Sequence, residues 1–404
     1  MKKFLPIIII FFPQLFFAIF NIFGKTYEGR ESSQIYIILN IIVYSLSIII
    51  YFVRVFYKRI KFNKNKLLIL FSIAVIIMFF FIEDALVGIN SIGTKSFILF
   101  NVFAIPNVIM GIYISDDEYC EYLKSIEIIM LIFTISTIKT IYNTLILGYK
   151  PNIGGGSYQF AGYTAALALG INLCFIVWDK NIARFNIFKS KLYKILSYFL
   201  VIFQLVGVMT TGARGAMILV IFYLIYFLIL VRNDRLSILN KICIVIIVII
   251  LYLNILPILI NNSVFNSSLR RLFEYVSDNG INWEGTSGRD IIYILTIELI
   301  KLSPIYGYGL FSYYNYLNSY PHNLFLEILV QGGIIYLSIF IIINYLVIKK
   351  LNKITRKDVN LKILNTLAIY CFVLLMFSGT YMTNNQFWFI LSFVVNFKTN
   401  KQIN

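Results

Sequence analysis

The chain has 404 residues, of which 60% are hydrophobic, 17% aromatic and 13% charged, with a formal net charge of +17. Soluble folds carry about half apolar and about a quarter charged residues, so a soluble globular protein is excluded. Apolar runs such as Leu67 to Ile82 and Ile242 to Ile260 approach the roughly 20 residues that cross a hydrocarbon core, and spans in lipid must be helices.

The expected fold is all-α and polytopic, with about 12 transmembrane helices. In chain order the spans are 4–23, 34–53, 67–83, 97–115, 125–147, 159–178, 195–211, 216–231, 242–260, 323–348, 363–378 and 386–397. The first follows a Met-Lys-Lys start and runs to Phe23 without a small-residue cleavage site, so a retained helix is expected rather than a cleaved leader. Residues 1–260 then hold the first nine helices and 261–322 form one long extracytoplasmic loop containing short helices. Residues 323–404 hold the last three helices and a tail, all within one integral membrane domain.

Loop charge sets the orientation, because short cytoplasmic loops collect Lys and Arg. Arg54, Lys58, Arg59, Lys61, Lys64 and Lys66 follow the second span, and Lys180, Arg184, Lys189, Lys191 and Lys194 follow the sixth. Arg232, Arg235 and Lys241 follow the eighth, and Lys349, Lys350, Lys353, Arg356, Lys357 and Lys362 follow the tenth. Alternate loops are therefore basic, both termini are expected in the cytoplasm, and the 261–322 loop is expected outside a cytoplasmic (inner) membrane. The acidic loop Asp116 to Glu121 is tolerated, since carboxylates weigh little in this rule. The positive charge is accounted for by topology and anionic headgroups, with no nucleic acid implied. Cys120, Cys174, Cys243 and Cys371 contain no C-x-x-C pair, which argues against a disulfide framework or thiolate metal site.

Polar residues within spans are costly and mark function. Lys139 can snorkel to an interface or face a cavity in the bundle, and Glu127 reads as an interfacial carboxylate. Glu327 lies four residues from both Asn323 and Gln331, so the three share one helix face and read as site lining.

The turn Met209-Thr210-Thr211-Gly212-Ala213-Arg214-Gly215-Ala216 is too short for anything but a tight outer connection, and it leaves Arg214 at the membrane mouth, snorkelling or serving a site. Ser287-Gly288-Arg289-Asp290 opens a helical pattern to Leu302, with Ser287 as N-cap. An arginine in a first turn opposes the helix dipole, yet an arginine fork beside free N–H groups is suited to gripping an anion. Gly307-Tyr308-Gly309 is followed by Tyr313, Tyr314, Tyr316 and Tyr320, which read equally as a headgroup belt or as a platform for sugar rings. His322, the single histidine, stands where the loop re-enters the membrane, and its charge is adjustable near neutrality.

Together these segments resemble the O-antigen ligase and O-antigen polymerase (Wzy-like) family. That family has a T/S-G-S/A-R-G-A turn, matched by Thr211 to Ala216, and an S-G-R loop opening, matched by Ser287 to Arg289. It also has a G-x-G stretch followed by H-N-x-x-L-E-x-L-x-x-x-G-x-x-G, matched from Gly307 and from His322 to Gly333, with Tyr336 in place of the last glycine. The resemblance implies a membrane glycosyltransferase that moves glycan from a polyprenyl pyrophosphate carrier, as polymerase or as ligase to a lipid A core. The implied roles are His322 as general base, Arg214 and Arg289 as pyrophosphate clamps with Lys139 as a third candidate, and Asn323 and Glu327 as lining. No cofactor and no metal is expected, although Glu83-Asp84 resembles an acidic pair of lipid-linked-sugar transferases. Partners would be the lipid-linked oligosaccharide, membrane lipids, a flippase and a chain-length regulator. A flippase or transporter is the reading from a different class, but no duplication of the two halves supports it.

Overall fold

The computed structural model describes residues 5–24, 30–58, 63–116, 119–179, 181–230, 276–277, 280–281 and 289–398. The expected span at 242–260 and the expected cap Ser287 lie outside these residues. The described helices are α1 (Leu5–Ile10), α2 (Phe12–Ile22), α3 (Arg30–Lys58), α4 (Lys64–Val87), α5 (Ser91–Asp116), α6 (Tyr119–Leu123) and α7 (Ile126–Leu145). They continue with α8 (Tyr158–Val177), α9 (Lys191–Thr211), α10 (Arg214–Leu230), α11 (Arg289–Leu302), α12 (Leu324–Lys357), α13 (Lys362–Phe377) and α14 (Asn385–Asn396). In the expected outer loop, α11 is joined by a 3-10 turn at Ser312–Asn315 and by an antiparallel pair of two-residue strands, Val276–Ser277 and Gly280–Ile281.

Seven of the described segments are long and apolar enough to cross a membrane, and Phe12–Ile22, Ile38–Val53 and Arg214–Leu228 are shorter apolar helices at positions where spans were expected. The chain is thus a membrane-embedded helical protein. Among the boundaries that differ from expectation, α12 continues to Lys357, so Lys349, Lys350, Lys353, Arg356 and Lys357 extend a helix instead of forming a loop. Lys350 Nζ donates to the Val395 carbonyl at 2.9 Å, which gives the extension a fixed partner.

The chain divides into two compact units, one of Met1–Ile37, Cys120–Asn282 and Asp358–Leu374, the other of Ile38–Tyr119, Trp283–Lys357 and Leu375–Asn404. In the first unit α8 is buried along nearly its whole length, against α7, α9 and α10. Its neighbours are joined by side-chain hydrogen bonds that lipid cannot supply. Asn172 Nδ2 donates to the Ser197 carbonyl at 2.9 Å and to Gln204 Oε1 at 3.1 Å, and Gln204 Nε2 donates to Thr134 Oγ1 at 2.7 Å.

Glu127 in this unit departs from its expected role. It is fully buried rather than interfacial and receives Arg184 in a two-pronged pair, with Arg184 Nε donating to Glu127 Oε2 at 3.1 Å and Nη2 to Oε1. Arg184 also reaches Asp179 and lies over the rings of Phe175 and Tyr193. Removing one member of a buried pair strands the other charge, at a cost of about 3–5 kcal/mol. Arg184→Ala is accordingly expected to lower both membrane yield and thermal midpoint. Wild-type values for both would show that the pair contributes nothing.

In the second unit α5 packs along α14. The α4–α5 connection is knit to the segment after Gly309: Asn90 Nδ2 donates to the Tyr314 carbonyl at 2.5 Å and Asn315 Nδ2 to the Gly88 carbonyl at 2.6 Å. Helix α12 breaks at Gly332 (φ −142°, ψ 19°) and Gly333 (φ 59°, ψ −158°), which frees backbone groups that need partners. The segment 304–309 provides them. Tyr308 and Gly309 donate N–H bonds to the Val330 and Gln331 carbonyls at 2.8 and 2.7 Å, and Ile334 donates to the Pro304 carbonyl at 2.9 Å. A Cβ on Gly333 would come within 2.3 Å of Ile305 backbone, and one on Gly307 within 2.5 Å of Gln331 backbone, so both sides of this joint require glycine. The two glycine motifs of the sequence therefore meet in one structural joint.

Candidate functional site

Arg289 and His322 come together in the second unit. Arg289 is the first residue of α11, and its Nη1 donates to the carbonyl of Phe377, the last residue of α13. A cation at a helix C-terminus is favourable. This contact offsets the unfavourable placement of the same residue at its own helix N-terminus.

His322 is the one non-glycine residue with positive φ among the described residues, at 55°. The left-handed turn ends the loop abruptly, and the next residue caps α12: Asn323 Oδ1 accepts from Phe325 N at 3.1 Å and Leu326 N at 3.2 Å. The imidazole lies 4.2 Å from the Tyr320 ring, centre to centre. Tyr320 Oη donates to the Ser378 carbonyl at 3.0 Å, and burial pushes its phenol up to about 12, so it remains a donor.

Burial first, and the neighbouring Arg289 charge second, hold His322 down at about 4, despite a hydrogen bond to the Ser378 backbone. The ring is therefore neutral at pH 7. Nδ1 is buried without a hydrogen-bond partner among the described residues.

Below His322 on α12, Glu327 and Gln331 are anchored by the turn after α13. Thr380 Oγ1 donates to Glu327 Oε1 at 2.5 Å, and Tyr381 Oη donates to Gln331 Oε1. Tyr336, where the family motif has glycine, pairs its hydroxyl with Tyr381 Oη at 3.1 Å. Of the residues expected to line the site, Glu327 is fully buried in this network and Asn323 spends its side-chain oxygen on capping.

The tyrosine run divides between two environments. Tyr313 and Tyr314 are core residues, packed with Leu317 and Val330, and cannot serve as belt or platform. Tyr316 is exposed, and its ring lies 4.8 Å from that of Tyr308, which is partly buried against the core cluster.

Arg214 and Lys139 belong to the first unit. Gly212 ends α9 in the left-handed conformation (φ 62°), Thr211 Oγ1 donates to the Val208 carbonyl at 2.8 Å, and α10 starts directly at Arg214. The half-buried Arg214 is thus fixed by a tight turn, as its spacing predicts. Lys139 lies near the end of α7 with Nζ 5.1 Å from the centre of the partly exposed Tyr142 ring.

Sequence reasoning missed Tyr320, Ser378, Thr380 and Tyr381 as supports. Tyr320 was detectable as an aromatic two residues before the histidine, whereas nothing local signals the other three.

The family model described as O-Antigen ligase matches residues 199–341, from α9 to the middle of α12. No curated protein and no solved structure matches the chain. The matched segment contains the Arg214 turn, Arg289, the glycine joint and His322, and this part of the chain is similar to an O-antigen ligase/polymerase-like family.

Proposed function

We propose that this protein is a repeat-unit polymerase for an O-antigen or capsular polysaccharide, joining glycans carried on polyprenyl pyrophosphate at the outer face of the cytoplasmic membrane. The observation that carries this reading is the convergence of Arg289, bonded to the Phe377 carbonyl, and His322, beside Tyr320, which is bonded to the adjacent Ser378 carbonyl. In the proposed step an acceptor sugar hydroxyl attacks the anomeric carbon, and the bond from that carbon to the pyrophosphate oxygen breaks. The hydroxyl proton passes to the neutral His322 imidazole, and the polyprenyl pyrophosphate leaves with negative charge growing on its oxygen. Planar guanidinium forks suit that charge better than ammonium groups. Arg289 takes this role, with Arg214 and Lys139 as further cations for the pyrophosphate, while Glu327 and Asn323 support the start of α12. A chain-length regulator and a flippase would act beside it.

Transfer to a lipid A core by a ligase has the same chemistry and differs in the acceptor. Purified protein in liposomes, given lipid-linked repeat units extracted from the native membrane and no core, should form a ladder of polymer. Transfer only upon addition of core would overturn the polymerase in favour of the ligase. Normal polymer length and yield in cells carrying Arg214→Ala and His322→Ala would instead favour a transporter.

A further inference from the structure

The Gly309–Ser312 backbone turns around a single carboxylate from a distant part of the chain. Glu83, in the last turn of α4, accepts N–H bonds from three consecutive residues: Leu310 at 2.5 Å to Oε1, and Phe311 at 2.8 Å and Ser312 at 3.0 Å to Oε2. The side chain is buried, and a Cβ on Gly309 would fall 2.7 Å from its carboxyl carbon, so the fit excludes any other residue there. Three successive amide groups converging in this way form an anion-holding nest. Here the anion is built into the protein. Its neighbour Asp84 does a separate job, accepting from Ile89 N at 3.1 Å to close the α4–α5 connection. The acidic pair is therefore divided between two backbone tasks.

The nest adjoins the glycine joint directly. The peptide groups of Tyr308 and Gly309, one residue before the nest, hold the Val330 and Gln331 carbonyls at the break in α12. The stretch of α12 before that break starts at Leu324, directly after His322 and Asn323. The same loop is followed by the exposed Tyr316, whose ring lies 4.8 Å from that of Tyr308. We propose that Glu83 is a positioning residue for glycan transfer: its carboxylate sets the 307–312 loop and, through the bend at Gly332–Gly333, the aim of the helix start that bears His322. The proposal rests on the transfer reading given above.

Glu83→Gln tests it with little change in volume. Its amide keeps one acceptor oxygen but turns an N–H toward an amide donor of the loop. Glu83→Asp keeps both oxygens one methylene short of the nest. Asp84→Asn serves as the neighbouring control.

In liposomes with extracted lipid-linked oligosaccharide, Glu83→Gln should lower kcat by about 10- to 100-fold while donor KM stays within about twofold. Glu83→Asp should recover part of that loss, and yield and thermal midpoint should stay near wild type. Wild-type kcat in Glu83→Gln would overturn the proposal. So would a parallel fall of yield, midpoint and activity in both variants, which is the signature of a clamp that only stabilises the fold. If wild-type protein forms no product at all, the transfer reading itself fails, and the two failures are thereby told apart.

Discussion

Replacing His322 with asparagine is expected to lower transfer by about 10²–10⁴-fold, the range lost with a general base, while protein level and donor binding remain. Asparagine is the informative substitute because it tolerates the left-handed conformation that His322 adopts at φ 55°. The accompanying pH dependence is the sharper measurement. Only the neutral imidazole accepts a proton, and its buried site beside Arg289 holds it at about 4, against the ordinary 6.5. The acid limb of kcat/KM should therefore fall near pH 4. A limb near 6.5 would mean that the working imidazole is solvated and distant from Arg289. The same displacement affects stability: the unfolded chain binds the proton more readily, so stability is fully present above about pH 6.5 and declines as pH falls toward 4.

Arg289→Lys should cost about 10²–10³-fold in kcat, the loss typical when one charge-stabilising donor is removed. The positive charge remains, but lysine is a compact point charge without a planar fork. Two functions would be separated by this variant. One N–H of the guanidinium is engaged at the Phe377 carbonyl, so part of the loss could be structural and should appear as a lower thermal midpoint. A large fall in kcat with an unchanged midpoint assigns the residue to charge stabilisation. Near-normal turnover would assign it to the helix contact alone.

The helical spans were legible because hydropathy is a local property, and seven of the described segments meet it by length and composition. The Arg214 turn was legible for the same reason: glycine, alanine and arginine at that spacing between two apolar runs leave room only for a short connection. Partnerships across the sequence were not legible. Glu127 read as interfacial because Arg184 is 57 residues away, and Glu83 read only as half of an acidic pair because its three amides lie 227 to 229 residues further on. The tyrosine run was ambiguous because belt, platform and core all favour the same residue type. Only packing separates the buried Tyr313 and Tyr314 from the exposed Tyr316. The position of Asn323 beside the histidine suggested site lining, whereas its side chain satisfies the first amides of α12. His322 was recognisable as a candidate, but its depressed proton affinity depends on burial and on Arg289, which pattern alone does not bring near.

The break at Gly332–Gly333 also divides α12 into two cooperative pieces. An uninterrupted helix opens and closes with its turns coupled through i to i−4 bonds, but here the bonds at the junction run to the 304–309 segment. The eight residues from Leu324 to Gln331 are thereby joined to the rest of their own helix through the loop. The same loop also accepts from Ile334, so it ties the stretch that follows His322 to the start of the span beyond the break, and a disturbance of the loop would reach both.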